Sequence, residues 1–95
     1  MHIISRKALK DFSQKHPQSE TPLDSWYRVA KEAEWSNLAE VKKTYPSADL
    51  VGKYVVFNIK GNDYRLIVSI NFRSKTIFIK NILTHSDYDK GRWKT

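Results

Sequence analysis

The chain of 95 residues contains no cysteine, and only three glycines, three prolines and one methionine. Without thiols there can be no disulfide framework, no thiolate metal site and no cysteine nucleophile. His2, His16 and His85 are too scattered to suggest a metal centre. Asp63, Asp87 and Asp89 are spread between a turn and the C-terminal segment, so no carboxylate cluster suited to Mg²⁺ is visible. No metal and no cofactor is therefore expected. Long apolar runs are missing as well. None approaches the roughly 20 residues that span a bilayer, and Met1–Lys7 lacks the apolar core of a signal peptide, so a cytoplasmic protein with no membrane partner is expected. Acidic residues are in the minority, with 10 Asp+Glu against 17 Lys+Arg and a net charge of +7. That surplus points to a polyanion, of which nucleic acid is the commonest in a cell, although general solubility is the plainer explanation. A chain of this size buries only about two-thirds of its unfolded surface. One domain covering residues 1–95 is expected.

No repeat, low-complexity tract or linker interrupts the chain, which divides into a helical first half and a strand-rich second half. His2–Ile4 suggests a short opening strand. Ser5 then suits an N-cap, and Ala8, Leu9 and Phe12 share a helical face before Pro17. A second helix is marked by Thr21 as cap, Pro22 at the first helical position and Asp24 in a capping-box-like pattern. Leu23, Trp26, Tyr27, Ala30 and Ala33 fall on one apolar stripe that should cover a sheet. A third, short helix is expected from the Asn37 cap to Tyr45, and Pro46–Lys53 reads as a connecting loop.

Three strands follow, at Tyr54–Lys60, Asp63–Phe72 and Thr76–Leu83. Gly61-Asn62 suits a two-residue type II′ hairpin turn, which sets Asn58 opposite Arg65 and Phe57 opposite Leu66. Val55, Phe57, Ile59, Tyr64, Leu66, Val68 and Ile70 then share an apolar face, and Tyr54, Asn58, Lys60, Arg65, Ser69 and Asn71 line the other. The turn at Arg73-Ser74 must belong to an even-length loop, which keeps Ile77 and Ile79 inward and places Lys80 beside Ile67, diagonal to Arg65. The fold class is α+β, with helices on one face of a mainly antiparallel sheet of three to four strands.

The chemistry concentrates after the last strand, in Thr84-His85-Ser86-Asp87-Tyr88-Asp89-Lys90. His85 and Tyr88 leave the sheet at its rim. A histidine can accept and return a proton near neutrality, a tyrosine offers a hydroxyl and a stacking surface, and an arginine fork matches a phosphate. Arg65, His85 and Tyr88 are thus the candidate catalytic groups. Lys60, Lys80 and Lys90, with Asn58 and Arg73, are the candidate RNA-binding groups. Together they suit cleavage of RNA without a metal, because the 2′-hydroxyl serves as nucleophile. Each has a plainer structural reading: His85 as a hydrogen-bonded rim residue, Arg65 as half of a cross-strand ion pair, the lysines as solvated charges. Trp26, Trp35 and Trp93 read as core or helix-packing residues in preference to base-stacking platforms.

Met1-His2-Ile3-Ile4-Ser5-Arg6-Lys7-Ala8-Leu9-Lys10, Tyr54 to Leu66 with its Gly-Asn-Asp-Tyr-Arg motif, and Thr84 to Lys90 with its Thr-His-x-x-Tyr-Asp motif resemble the HigB toxins. These belong to the RelE/ParE superfamily of toxin–antitoxin systems. The resemblance runs over nearly the whole chain. It implies a RelE-like fold and a toxin that cuts mRNA in the ribosomal A site, silenced by a HigA-type antitoxin carrying a helix-turn-helix. It also implies that Arg65 contacts the scissile phosphate and that His85 and Tyr88 occupy proton-transfer or base-stacking positions, with Lys80 at a strand position that is often basic. The ParE branch shares the fold but inhibits gyrase. A gyrase inhibitor therefore stays open as a reading, as does a non-catalytic RNA- or ribosome-binding module.

Overall fold

Branched and aromatic side chains dominate residues 54–83, and in the computed structural model, which describes residues 1–94, that stretch forms the body of a sheet. The elements run β1 (His2–Ile4), α1 (Arg6–Lys15), α2 (Glu20–Glu32), α3 (Leu38–Thr44), β2 (Asp49–Val51), β3 (Tyr54–Ile59), β4 (Tyr64–Asn71), β5 (Thr76–Thr84) and α4 (His85–Asp89). Single 3₁₀ turns lie at Pro17–Ser19 and Arg92–Lys94. Strand order is β1-β5-β4-β3-β2, with β1 parallel to β5 and every other pair antiparallel. The class is α+β, as expected. Thr95, the last residue of the expected 1–95 domain, lies outside the described residues. Among those described, no helix is long and apolar enough to cross a membrane.

The sheet has five strands where three to four are expected, because Pro46–Lys53 is not only a loop. Within it β2 pairs with β3 through Asp49↔Val56, Leu50↔Val55 and Val51↔Tyr54. Three residues are too few to show a period of two. The usable signal is Gly52-Lys53, a two-residue connection with Gly52 at φ +60°. The second helix also begins earlier than Thr21. The 3₁₀ turn at Pro17–Ser19 feeds directly into it, Ser19 occupies the cap position and Glu20 is the first helical residue. Pro22 is tolerated there because amides of a helix's first turn have no intrahelical acceptor. Ser5 has the extended backbone of a cap, but its side chain makes no capping bond. Asn37 does cap α3, accepting from the Glu40 amide at 2.9 Å.

Phe57 is the hub of the core. It projects from β3 towards the helices and meets Trp26 of α2 at 5.4 Å, Tyr45 after α3 at 5.4 Å and Trp35 at 6.4 Å between ring centroids. The α2 stripe delivers Leu23, Trp26 and Ala30 fully buried, while Tyr27 and Ala33 are half-buried. Burial also pushes the Tyr45 phenol up from its ordinary pKa. Lys75, in the β4–β5 turn, donates to the Glu34 and Trp35 carbonyls and the Ser36 hydroxyl, tying the segment after α2 to the sheet.

The β3–β4 register is the expected one, with Asn58↔Arg65 and Phe57↔Leu66. Gly61 has φ +64° at the first central position of the turn, closed by the Asp63 amide donating to the Lys60 carbonyl at 3.2 Å. The β4–β5 loop has the expected even length, since Asn71 pairs with Thr76. Beyond Val68↔Ile79, however, the ladder shifts by one, and the next pair is Ile67↔Asn81. Lys80 is the extra residue of a bulge and does not sit beside Ile67 as expected. The reason is visible in the spacing: Ile77 and Ile79 are two apart, but the next inward residue, Ile82, is three further on, so one residue must be looped out to keep all three facing the helices.

The face away from the helices is less polar than its parity suggests. Val56 and Ile67 lie there opposite one another, yet only 2% and 1% of each is exposed, and neither belongs to the helix-side core cluster. The C-terminal segment reaches back over this face, where Trp93 meets Tyr54 edge-on at 6.2 Å.

Removing the ring that joins sheet to helices should be costly. Phe57→Ala is expected to destabilise the fold by about 3–5 kcal/mol, read as a lower urea midpoint with an unchanged slope.

Candidate active site

The β3–β4 hairpin places Arg65 on the face away from the helices, opposite Asn58 on one side and Leu83 of β5 on the other. Its guanidinium is held by the backbone around the turn, with Nη1 donating to the Asn62 carbonyl at 3.0 Å and to the Tyr64 carbonyl at 3.3 Å. Two main-chain acceptors fix one side of the fork and leave Nη2 pointing to the C-terminal segment. There Nη2 lies 3.2 Å from Nδ1 of His85, and the guanidinium carbon lies 5.4 Å from the centroid of the Tyr88 ring.

His85 and Tyr88 are carried by α4, a helix beyond the three that the sequence pattern predicts. Thr84 caps it, accepting from the Asp87 amide at 3.2 Å, and the His85 amide donates to the Asp63 carbonyl at 2.9 Å. This last bond fastens the start of α4 to the turn that holds Arg65. The missed signal is Thr84 followed three residues later by Asp87, an acidic capping pattern at a helix start. Once α4 is a helix, His85 and Asp89 are one turn apart, and His85 Nε2 lies 3.1 Å from Asp89 Oδ2. Tyr88 stacks on Trp93 at 5.2 Å with 17° between the planes, and the indole N–H donates to the Tyr88 carbonyl at 3.2 Å. Trp26 and Trp35 are core residues as expected, whereas Trp93 packs against the site. Asp89 and Trp93 are thus the site residues that sequence reasoning passed over.

The structure therefore brings His85 and Tyr88 each into contact with Arg65, with Asn58 alongside Arg65 in the ladder. Lys60 and Lys90 flank the cluster, and each contacts a nearby carboxylate, Asp63 at 3.4 Å and Asp87 at 3.6 Å. Exposed pairs of this kind are weak, so a polyanion can take either lysine from its partner. A cavity of about 330 Å³ adjoins this end, lined by Asn81, Leu83, Asp87, Lys90, Arg92 and Trp93. Lys80 and Arg73 are not brought in. The bulge puts Lys80 over the Phe78 ring, in a groove shared with Lys15 of α1. Arg73 lies in the β4–β5 turn, separated from Arg65 by the length of an eight-residue strand, about 25 Å. A cleft of about 440 Å³ lies away from the sheet's open face, between α1 and α2 beside Arg6 and Tyr27. Among the described residues, no three His, Asp or Glu side chains gather in a way that could hold a metal ion.

Residues 19–91 match a protein family described as a RelE-like toxic component of a toxin–antitoxin system. That defines the class of protein to which the α+β fold belongs. The chain is 38% identical over 93 residues to the mRNA interferase HigB of Escherichia coli O6:H1, covering 95% of this chain and 90% of that protein. It is 34% identical over 92 residues to the mRNA interferase toxin HigB of Escherichia coli K12, covering 94% and 88%, and equally similar to the mRNA interferase HigB of Shigella flexneri. The chain belongs to the HigB toxin family.

The arrangement depends on α4 starting at a fixed point. Thr84→Ala removes the cap and is expected to cost about 1 kcal/mol, read as faster hydrogen exchange at the Asp87 and Tyr88 amides with the core amides unchanged.

Proposed function

We propose that this HigB-family toxin is an mRNA interferase, an endoribonuclease that cuts mRNA on the translating ribosome in the cytoplasm and is held inactive by a HigA-type helix-turn-helix antitoxin. The observation that carries the reading is the contact between Arg65 Nη2 and His85 Nδ1 at 3.2 Å, beside the Tyr88 ring, because it joins a phosphate-binding fork to a proton acceptor.

The reaction is transesterification within the RNA, with no metal required. The 2′-hydroxyl oxygen bonds to the adjacent phosphorus, its proton passes to the imidazole of His85, and the bond from phosphorus to the 5′-oxygen breaks. The products are a 2′,3′-cyclic phosphate and a 5′-hydroxyl end, the 5′-oxygen taking a proton as it leaves. Arg65 binds the scissile phosphate and stabilises the charge that builds on the phosphorane, where a fixed donor is worth most. The Tyr88 ring is engaged by Arg65 and Trp93, so its hydroxyl is the group it offers to orient the substrate or to supply that proton. Lys60 and Lys90, with Asn58, hold the flanking backbone. Lys80 and Arg73 lie outside this cluster and serve as more distant phosphate contacts.

Losing one such electrostatic donor costs about a hundredfold to a thousandfold in rate. Arg65→Ala is therefore expected to abolish growth arrest on induction while the protein stays folded by circular dichroism. Mapping transcript ends after brief induction should show new 5′-hydroxyl ends with the wild type and none with Arg65→Ala. Arrest without new ends would indicate a non-cleaving binder, and a DNA-damage response with intact mRNA would indicate a gyrase inhibitor.

A further inference from the structure

Three carboxylates surround the candidate site, and they are not equivalent. Asp63 lies against Lys60 and Asp87 against Lys90, each an exposed pair within one turn of chain. Asp89 instead meets an imidazole, with Oδ2 3.1 Å from His85 Nε2. The opposite nitrogen, Nδ1, lies 3.2 Å from Arg65 Nη2. A guanidinium has only donors, so that contact requires a lone pair on Nδ1. A neutral imidazole with a lone pair on Nδ1 carries its hydrogen on Nε2, and that hydrogen faces the carboxylate. The two contacts, made from opposite sides of the ring by β4 and α4, specify the same tautomer.

We propose that Asp89 is a positioning residue: it accepts from Nε2–H of His85, fixes the ring and makes Nδ1 the nitrogen that exchanges a proton with the RNA. This rests on the reading of His85 as the proton-transfer group. Arg65 has a second part in the same device. In the free protein Nη2 occupies the Nδ1 lone pair, while Nη1 stays on the Asn62 and Tyr64 carbonyls. A scissile phosphate draws Nη2 to itself and frees Nδ1 beside the 2′-hydroxyl. As the 2′-O–H bond breaks and the oxygen bonds to phosphorus, the proton moves to Nδ1. The resulting imidazolium then lies against the Asp89 carboxylate, which offsets the charge of the neighbouring guanidinium. The charged groups facing His85 are thus Arg65 from β4 and Asp89 from α4, with the Tyr88 ring on Arg65. A carboxylate bonded to one nitrogen is how a histidine base is commonly held in register.

The test is a double-mutant cycle on cleavage of mRNA bound to ribosomes, measured in single turnover over a range of toxin concentrations. His85→Ala is expected to slow cleavage by about 10²–10⁴. Asp89→Ala is expected to slow it by less, about tenfold to a hundredfold, in the maximal rate and not in the half-saturating concentration. Asp89→Glu should regain part of that loss. The variant with both alanines should be no slower than His85→Ala alone, because Asp89 acts through the imidazole. A wild-type rate for Asp89→Ala, a loss confined to half-saturation, or losses that multiply in the double variant would overturn the positioning role and leave His85 as the proton-transfer group. An undiminished rate in His85→Ala would remove that earlier reading, and the role of Asp89 with it.

Discussion

The residue looped out at Lys80 sets where everything C-terminal to it goes. Before the bulge, Ile77 and Ile79 face the helices; after it, Ile82 does, and the one-residue shift in pairing reconciles the two. Without it, the strand would have to turn Ile82 outward or drag the ladder out of register. With it, Thr84 falls opposite Tyr64, and the next amide, that of His85, meets the Asp63 carbonyl. The first turn of α4 is thereby set beside the guanidinium of Arg65. A requirement of core packing, that isoleucines stay on the dry side of a sheet, thus brings the imidazole to the arginine.

The charge balance of the site follows from the same placement. The chain carries a surplus of seven positive charges, but its candidate site is not simply basic. Arg65, Lys60 and Lys90 are interleaved with Asp63, Asp87 and Asp89. Exposed ion pairs contribute little to stability and exchange partners readily. Lys60 and Lys90 are therefore free to exchange their carboxylates for other anions, while Arg65 is also held by two backbone carbonyls. The remaining cations, including Lys80 beside Lys15 and Arg73 at the far turn, lie apart from this cluster and add to the broader positive field of the surface.

The face that carries the site is also more apolar than its polar residues suggest. Val56 and Ile67 are as buried as the main core although they point away from it, and the C-terminal segment with Trp93 reaches over that side. α4 and the turn after it therefore pack on the sheet as well as carrying the candidate groups. Stacking of Tyr88 on Trp93 ties these two roles together.

The sequence by itself determined the α+β class, the β3–β4 register and the pairing of Asn58 with Arg65. These depend on local alternation and on a glycine-led turn, which a one-dimensional pattern records faithfully. The same pattern pointed to Arg65, His85 and Tyr88, because their side chains are scarce and chemically distinct. Tertiary structure decided the rest. The three residues of β2 were too few to show a period, and the cap of α2 was hidden by a 3₁₀ turn that runs into the helix. Lys80 left the ladder because isoleucines three apart had to share one face. Asp89 and Trp93 entered the site only once residues 85–89 closed into a helical turn, since contacts at one turn's spacing exist only when the helix does. Sequence could name groups with the right chemistry; only the bulge, the capped turn and the fold of the C-terminal segment could decide which of them meet.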